Sequence, residues 1–262
     1  MDRLDQEKIK ALLGKSVFAE NITIFKSLPS TNTTAKDLYT QGAAHGTIVI
    51  TEEQTAGRGR MDRKWFSPPY KNILVSLLLK PDMKPENVYA LTLALAVSGI
   101  EAIKDTCNLS AMIKWPNDIY LNNKKLAGIL TEFSVRGHRP AYVILGMGMN
   151  VNWQPEDGTG ILFPSTSLIK ETGGEVCRNR LMAEILKRFE CLYNDIVNER
   201  LEEFSRRCNR LSLLTGRIVS VDTGEELISG NVLGIDKDGG LFIEIKDGDI
   251  RKILNGDVSL RC

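Results

Sequence analysis

Apolar positions along this chain switch between a helical and a strand-like period, and the switches outline its elements. Leu4, Ile9, Leu12 and Leu13 predict one short amphipathic helix within residues 4–13. Ile22 to Phe25 reads as a strand, after which Ser30, Thr31 and Asn32 offer N-cap groups to a helix reaching Tyr39, with Gly42 as its stop. Thr47 to Thr51 is again β-branched and strand-like. The period is lost between Glu53 and Asn72, where Gly, Arg and Pro give a loop of about twenty residues. Loops of that length in a compact domain are uncommon and usually functional. Ile73 to Leu79 is a nearly unbroken apolar strand, and Pro85 to Ile103 a long apolar helix suited to burial against a sheet.

Three strands are expected next: Ala111 to Trp115, Lys125 to Val135 after an Asn122-Asn123 turn, and Ala141 to Val151 after a turn over 137–140. Such close spacing favours antiparallel hairpins. Residues 178–210 place Leu181, Ile185, Leu186, Phe189, Leu192 and Ile196 at helical spacing and predict one long helical region. From Thr215 the texture changes to short β-rich runs broken by Asp222-Thr223-Gly224, Asp238-Gly239-Gly240 and Asp247-Gly248, the mark of a small, tightly turned barrel. Two domains are therefore expected, over residues 1–214 and 215–262.

Composition narrows the partners. The 34 Lys and Arg nearly cancel 33 Asp and Glu, so no long-range field recruits nucleic acid or an anionic membrane. Five cysteines, at 107, 177, 191, 208 and 262, show no CxxC spacing and no zinc signature, so they read as reduced thiols and no metal set is expected. No stretch is judged to reach the roughly 20 apolar residues of a membrane span, and the first twenty residues lack a signal peptide's apolar run. The cytoplasm is the expected compartment.

Three segments carry candidate chemistry. In the long loop, Gly57-Arg58-Gly59-Arg60 is followed by Arg63, Lys64 and Trp65. Glycine lets backbone approach a ligand, while arginine offers a planar fork of donors to carboxylate or phosphate. An isolated GRGR tract fits a solvated basic loop or an RNA binder equally well; this one is single and sits between two ordered strands. The second segment is Lys114-Trp115-Pro116-Asn117-Asp118, then Lys125-Leu126-Ala127-Gly128. Pro116 ends a strand and sets Asn117 and Asp118 at a turn, and Gly128 would let a flat ligand lie close to the backbone. Taken alone, Asp118 is a turn former and Lys125 an edge-strand gatekeeper. The third is Gly146-Met147-Gly148-Met149-Asn150, which is not a dinucleotide fingerprint because no helix pattern follows. Its glycines fit a tightly packed strand, whereas Asn150, an amide ending an apolar run, needs a hydrogen-bond partner.

Taken in order, Ser30-Thr31-Asn32, the GRGR loop ending at Trp65, KWPND from Lys114, KLAGIL from Lys125, GMGMN from Gly146 and GDVSLR from Gly256 resemble the biotin protein ligase family. The resemblance implies an α+β fold: a mixed, largely antiparallel sheet packed with helices, of class II synthetase-like type, followed by a small SH3-like β-barrel. It implies that biotin and ATP, with Mg²⁺ held mainly by phosphates, give biotinyl-5'-AMP. Biotin then passes to a lysine of a biotin carboxyl carrier protein, in acetyl-CoA or pyruvate carboxylase. Carried over by position, Ser30, Thr31, Asn32, Gln54, Gly57 and Gly128 would bind biotin, and Arg58, Gly59, Arg60 and Lys125 would meet its carboxylate and the phosphates. Arg63, Trp65, Lys114, Asn117, Asp118, Asn150 and Arg261 would lie toward the nucleotide. Lys125, Arg58, Arg60 and Asp118 would carry the catalysis. The chain departs from the family's GRGRxG pattern, because Met61 and Asp62 follow Arg60.

Three other functions are weighed against this one. A lipoate or octanoyl transfer enzyme shares the fold, but Lys125-Leu126-Ala127-Gly128 favours biotin. A biotin-responsive regulator needs a DNA-binding module, and about twenty residues before the first strand are too few for one, so no specific DNA binding is expected. An interaction protein with a degenerate enzyme domain conflicts with intact Arg58, Arg60 and Lys125. A homodimer remains open, since a free sheet edge could pair.

Overall fold

A computed structural model describes residues 3–61, 63–154 and 164–260. The first large unit is a seven-stranded sheet. It contains β1 (Ile22–Phe25), β2 (Thr47–Thr51), β3 (Ile73–Leu79), β4 (Met112–Lys114), β5 (Asp118–Leu121), β6 (Lys124–Arg136) and β7 (Arg139–Met149). Their order across the sheet is β1-β2-β3-β7-β6-β5-β4. Only β1 and β2 run parallel; every other neighbouring pair is antiparallel. The sheet is thus mixed and largely antiparallel, as the family resemblance implied.

Its two faces are covered unequally, and that inequality makes the site. Period-2 alternation sends Ile73, Val75, Leu77 and Leu79 to one face, where they join the main core under α3 (Val88–Cys107) and α5 (Arg178–Val197). α1 (Gln6–Leu13) packs against α5. The opposite face receives α2 (Thr31–Thr40), whose Ala35 lies in a small cluster with Val49, Leu78 and Ile144. α2 packs on β2, β3 and β7, and the long loop brings Trp65 over the part of β7 and β6 beyond it.

Several expectations need correction. The region 178–210 is two helices, α5 and α6 (Leu201–Leu211), with α4 (Leu168–Thr172) preceding them. The break falls where Asn198 caps α5 and Glu199 takes a left-handed φ of 59°, which no helix interior tolerates. A fourth strand, β5, was not foreseen, so Asp118 opens a strand while Asn117 keeps the turn. Lys125 lies on an interior strand, which removes the edge-gatekeeper explanation. The segment Pro85–Cys107 does have the length and apolarity of a membrane-crossing helix, but most of it is buried in the protein core because it serves as the sheet's central packing partner.

The C-terminal unit is an all-antiparallel, five-stranded sheet, β11-β10-β9-β8-β12. Its strands are β8 (Ile218–Asp222), β9 (Leu227–Ile235), β10 (Leu241–Ile245), β11 (Ile250–Ile253) and β12 (Asp257–Leu260). This arrangement matches a small SH3-like barrel. It is pinned to the larger unit by that unit's side chains, which bond the barrel's backbone. Trp115 is buried and donates its indole N–H to the Gly239 carbonyl at 2.8 Å. Asn209 of α6 exchanges two hydrogen bonds with the backbone of Ile235, each 2.8 Å.

Candidate active site

Strand register arranges the exposed half of the sheet into two cross-strand rows. The first runs Ser76, Gly146, Leu130, and the second Leu74, Gly148, Gly128, Asp118, Lys114. Glycine at the centre of each row is required by close approach rather than by backbone angle. A Cβ on Gly146 would stand 2.0 Å from Asn32 Oδ1, and one on Gly148 would stand 2.4 Å from Trp65 Cε2. Asn32 therefore lies flat on the first row, and Trp65 on the second.

The first row is a polar network in an otherwise apolar setting. Ser30, Thr31 and Asn32 are all buried at the start of α2, and Ser30 occupies the N-cap position without a side-chain cap bond. Gln54 Oε1 accepts from the Thr31 backbone N–H at 2.8 Å and from its hydroxyl at 3.1 Å. The Ser76 hydroxyl stands within donating distance of Thr31 Oγ1 (2.7 Å) and Asn32 Oδ1 (2.6 Å). Asn32 Nδ2 donates to Glu132 Oε2 at 2.7 Å, and Arg58 reaches Glu132 Oε1 at 3.3 Å. Ser76 and Glu132 were missed in the sequence. Both left a signal: Ser76 is a lone hydroxyl in an apolar strand, and Glu132 shares the face of Gly128 and Leu130 by alternation.

The second row gathers charge. Lys125 Nζ stands 2.7 Å from Asp118 Oδ1 and 5.9 Å from the centre of the Trp65 ring. Asn117 anchors the row to β6, exchanging backbone and side-chain bonds with Ile129, and its Oδ1 accepts from Arg60 Nη1 at 3.0 Å. Arg60 comes from the loop and Lys125 from β6, so the two distant cationic stretches meet around Asn117 and Asp118. Burial lowers Arg60 from the ordinary guanidinium range, opposed by the carboxylates of Asp257 and Asp118. It also lowers Lys114, again opposed by Asp118. Lys114 rests 5.0 Å from the centre of the Tyr120 ring, whose phenol is pushed up to about 12 by burial and then by Asp118. Trp65 Nε1 and Asn150 Oδ1 are buried without a hydrogen-bond partner, although Asn150 Nδ2 donates to the Thr166 carbonyl at 3.0 Å. Unsatisfied polar atoms beside an open row are acceptable where a ligand completes them.

The loop itself is a folded hairpin. Trp65 N–H donates to the Gly57 carbonyl at 2.9 Å, Gly59 N–H to that of Arg63 at 2.6 Å, and Arg58 pairs with Lys64 in a short bridge. Its tip leans on the barrel: Arg60 Nη2 donates to Asn255 Oδ1 (2.6 Å) and the Gly256 carbonyl (3.2 Å), and Arg63 pairs with Asp257. Asp62 and Arg261 lie outside the described residues. Arg58 is the outlier of the predicted cations, half-exposed and turned toward the Asn32 row rather than toward Lys125. Two surface cavities lie elsewhere. One of about 430 Å³ sits between α6 and the barrel, another of about 480 Å³ near the end of α3. Neither touches the two rows, which Asn32 and Trp65 partly fill.

One face of the sheet is opened by paired glycines, polar at one end and cationic at the other. Comparison with known proteins gives the family. Residues 24–150 match the Biotin/lipoate A/B protein ligase family, and residues 214–261 match the Biotin protein ligase C terminal domain. The Bifunctional ligase/repressor BirA of Bacillus subtilis is 35% identical over 259 residues, covering 98% of this chain and 79% of that protein. The Biotin--[acetyl-CoA-carboxylase] ligase of Mycobacterium tuberculosis is 28% identical, with 92% and 90% covered. The structure of the biotin protein ligase from Aquifex aeolicus in complex with biotin and ATP superposes with a TM-score of 0.78 at 31% identity, covering 92% of this chain and 99% of that one. The chain belongs to the biotin protein ligase family.

Proposed function

We propose that this protein joins biotin to ATP as biotinyl-5'-AMP and transfers the acyl group to a lysine of a biotin carboxyl carrier protein. One observation carries the proposal: Arg60 and Lys125 converge on the adjacent residues Asn117 and Asp118, beside the buried Asn32 network. In the first step the biotin carboxylate attacks the α-phosphorus and pyrophosphate leaves. Two anions about 4 Å apart repel by roughly 4 kcal/mol at an effective dielectric near 20. Charge-assisted hydrogen bonds from Arg60 and Lys125, at about 1.5–3 kcal/mol each, offset that repulsion. Arg58, linked to Asn32 through Glu132, serves the biotin side.

Ser30, Thr31, Asn32 and Gln54 line the biotin side; Gly57 lets the Trp65 backbone approach within the hairpin, and Gly128 lies beneath Asp118, Lys125 and Trp65. Trp65, Lys114, Asn117 and Asn150 face the nucleotide, with Arg63 at the barrel contact. Mg²⁺ would neutralise charge on the pyrophosphate side. Its ligands would come mainly from the phosphates. In the second step the carrier's amine attacks the acyl carbon, AMP leaves, and Asp118 orients the amine. Alignment alone contributes about 7–11 kcal/mol, so no protein nucleophile is needed.

The test is incubation with biotin, ATP, Mg²⁺ and a carrier domain, followed by an avidin mobility shift. Biotinylated carrier is expected. Transfer of lipoate in preference to biotin, offered side by side, would move the protein to the other branch of its family.

A further inference from the structure

The two feet of the arginine loop meet at one buried ion pair. Glu52 directly precedes the loop, Asn72 ends it, and Arg178 is the first residue of α5, with no exposed surface. Arg178 Nη1 donates to Glu52 Oε2 at 2.5 Å and to the Asn72 carbonyl at 3.1 Å; Nη2 donates to Glu52 Oε1 at 3.3 Å. The same carboxylate accepts from the Leu4 backbone N–H at 2.8 Å, and the Glu52 carbonyl accepts from Tyr70 N–H at 3.1 Å. Asn72 Oδ1 accepts from Val151 N–H at 2.9 Å, next to Asn150. One guanidinium thereby ties together both feet of the loop, the N-terminal segment and the strand end that carries Asn150.

Stability alone does not call for this arrangement. A buried ion pair is often no better than apolar residues of equal volume, and a cation in the first turn of a helix opposes the macrodipole. What such a pair adds is a single geometry. We propose that Glu52 and Arg178 are positioning residues that fix the loop's feet, so that Gly57 to Trp65 closes over the two rows and retains the adenylate. The inference rests on the ligase reading for its kinetic consequence only.

The paired variant Glu52→Gln with Arg178→Met removes the charges together and keeps an acceptor for Leu4; Arg178→Lys is the conservative companion. Two measurements apply. Release of biotinyl-5'-AMP, followed by chase, should be about tenfold faster in the paired variant, the effect of losing roughly one charge-assisted hydrogen bond, and intermediate in Arg178→Lys. The rate of carrier biotinylation at saturating biotin and ATP should change little. Trypsin applied to the unliganded protein should cut faster at Arg58, Arg60, Arg63 and Lys64 while sites elsewhere keep the parent's rate. Parental release and cleavage in the variants, or cleavage rising uniformly as in unfolding, would overturn the proposal. If the paired variant does not fold, Arg178→Lys decides by the same criteria. Should the parent form no adenylate, the ligase reading fails, and the trypsin map still judges the positioning.

Discussion

Alanine at Gly146 and at Gly148 should separate the two substrates kinetically. The Gly146 Cβ would stand 2.0 Å from Asn32 Oδ1, against an ordinary contact of 3.4–4 Å, so Asn32 must move by more than an ångström. That movement breaks its bond to Glu132 Oε2, now 2.7 Å, and its contact with Ser76, now 2.6 Å. A charge-assisted hydrogen bond contributes about 1.5–3 kcal/mol, which converts to roughly 10- to 150-fold in affinity. Gly146→Ala should therefore raise the biotin KM by about one to two orders of magnitude and leave the ATP KM nearly alone. Gly148→Ala instead lifts Trp65, whose Cε2 and Nε1 would lie 2.4 and 2.6 Å from the new methyl group, and should raise the ATP KM. Overpacking costs about 1–3 kcal/mol of stability in either case, so melting curves must accompany the kinetics. Gly174→Ala, whose Cβ meets nothing within 4 Å, is the control. Equal effects on both substrates from both variants, with the fold intact, would refute the division into a biotin row and a nucleotide row.

Other expectations follow from burial and charge. Trp115→Phe leaves the Gly239 carbonyl without its indole donor and should cost about 1–3 kcal/mol, lowering the melting temperature by roughly 2–4 °C for each kcal/mol. Tyr120 and Tyr193 are both raised to about 12 by burial, so the folded state keeps their protons after the unfolded chain has lost them. The tyrosines' contribution to stability should be flat below pH 10 and fall between pH 10 and 12, and phenylalanine at both positions should remove that part of the alkaline fall in urea titrations. Cys208 is buried with its thiol pushed up to about 12, whereas Cys177 and Cys191 are exposed. A thiol reagent should label the latter two in the native protein and reach Cys208 only on unfolding.

Much of the fold was legible because period and burial agree. β1, β2 and β3 coincide with the runs read from the sequence, since each is a β-branched or apolar stretch bounded by turn residues. β5 was hidden because Asp118-Ile119-Tyr120-Leu121 is only four residues long and shares its boundary with the KWPND turn. The break between α5 and α6 was hidden because it contains neither Gly nor Pro, and Asn198 is a weaker stop signal than either. At the site, the ordered motifs named the side chains but not their partners. Glu132, Ser76 and Asp257 were missed because their importance comes from strand register and domain docking, which bring together residues distant in sequence. The Glu52–Arg178 pair spans 126 positions and leaves no local pattern.

The central claim, that cations from the loop and from β6 act on one reacting centre, is tested most directly by biotin-dependent ATP–pyrophosphate exchange. It should be measured on the parent, on Lys125→Ala, on Arg60→Ala and on the double variant, all with parental melting curves. Lys125→Ala should abolish detectable exchange, Arg60→Ala should reduce it severely, and the double variant should be no worse than Lys125→Ala within detection. Exchange at the parent's rate in Lys125→Ala would show that its ammonium plays no part in adenylation and that the two cations do not share a reacting centre.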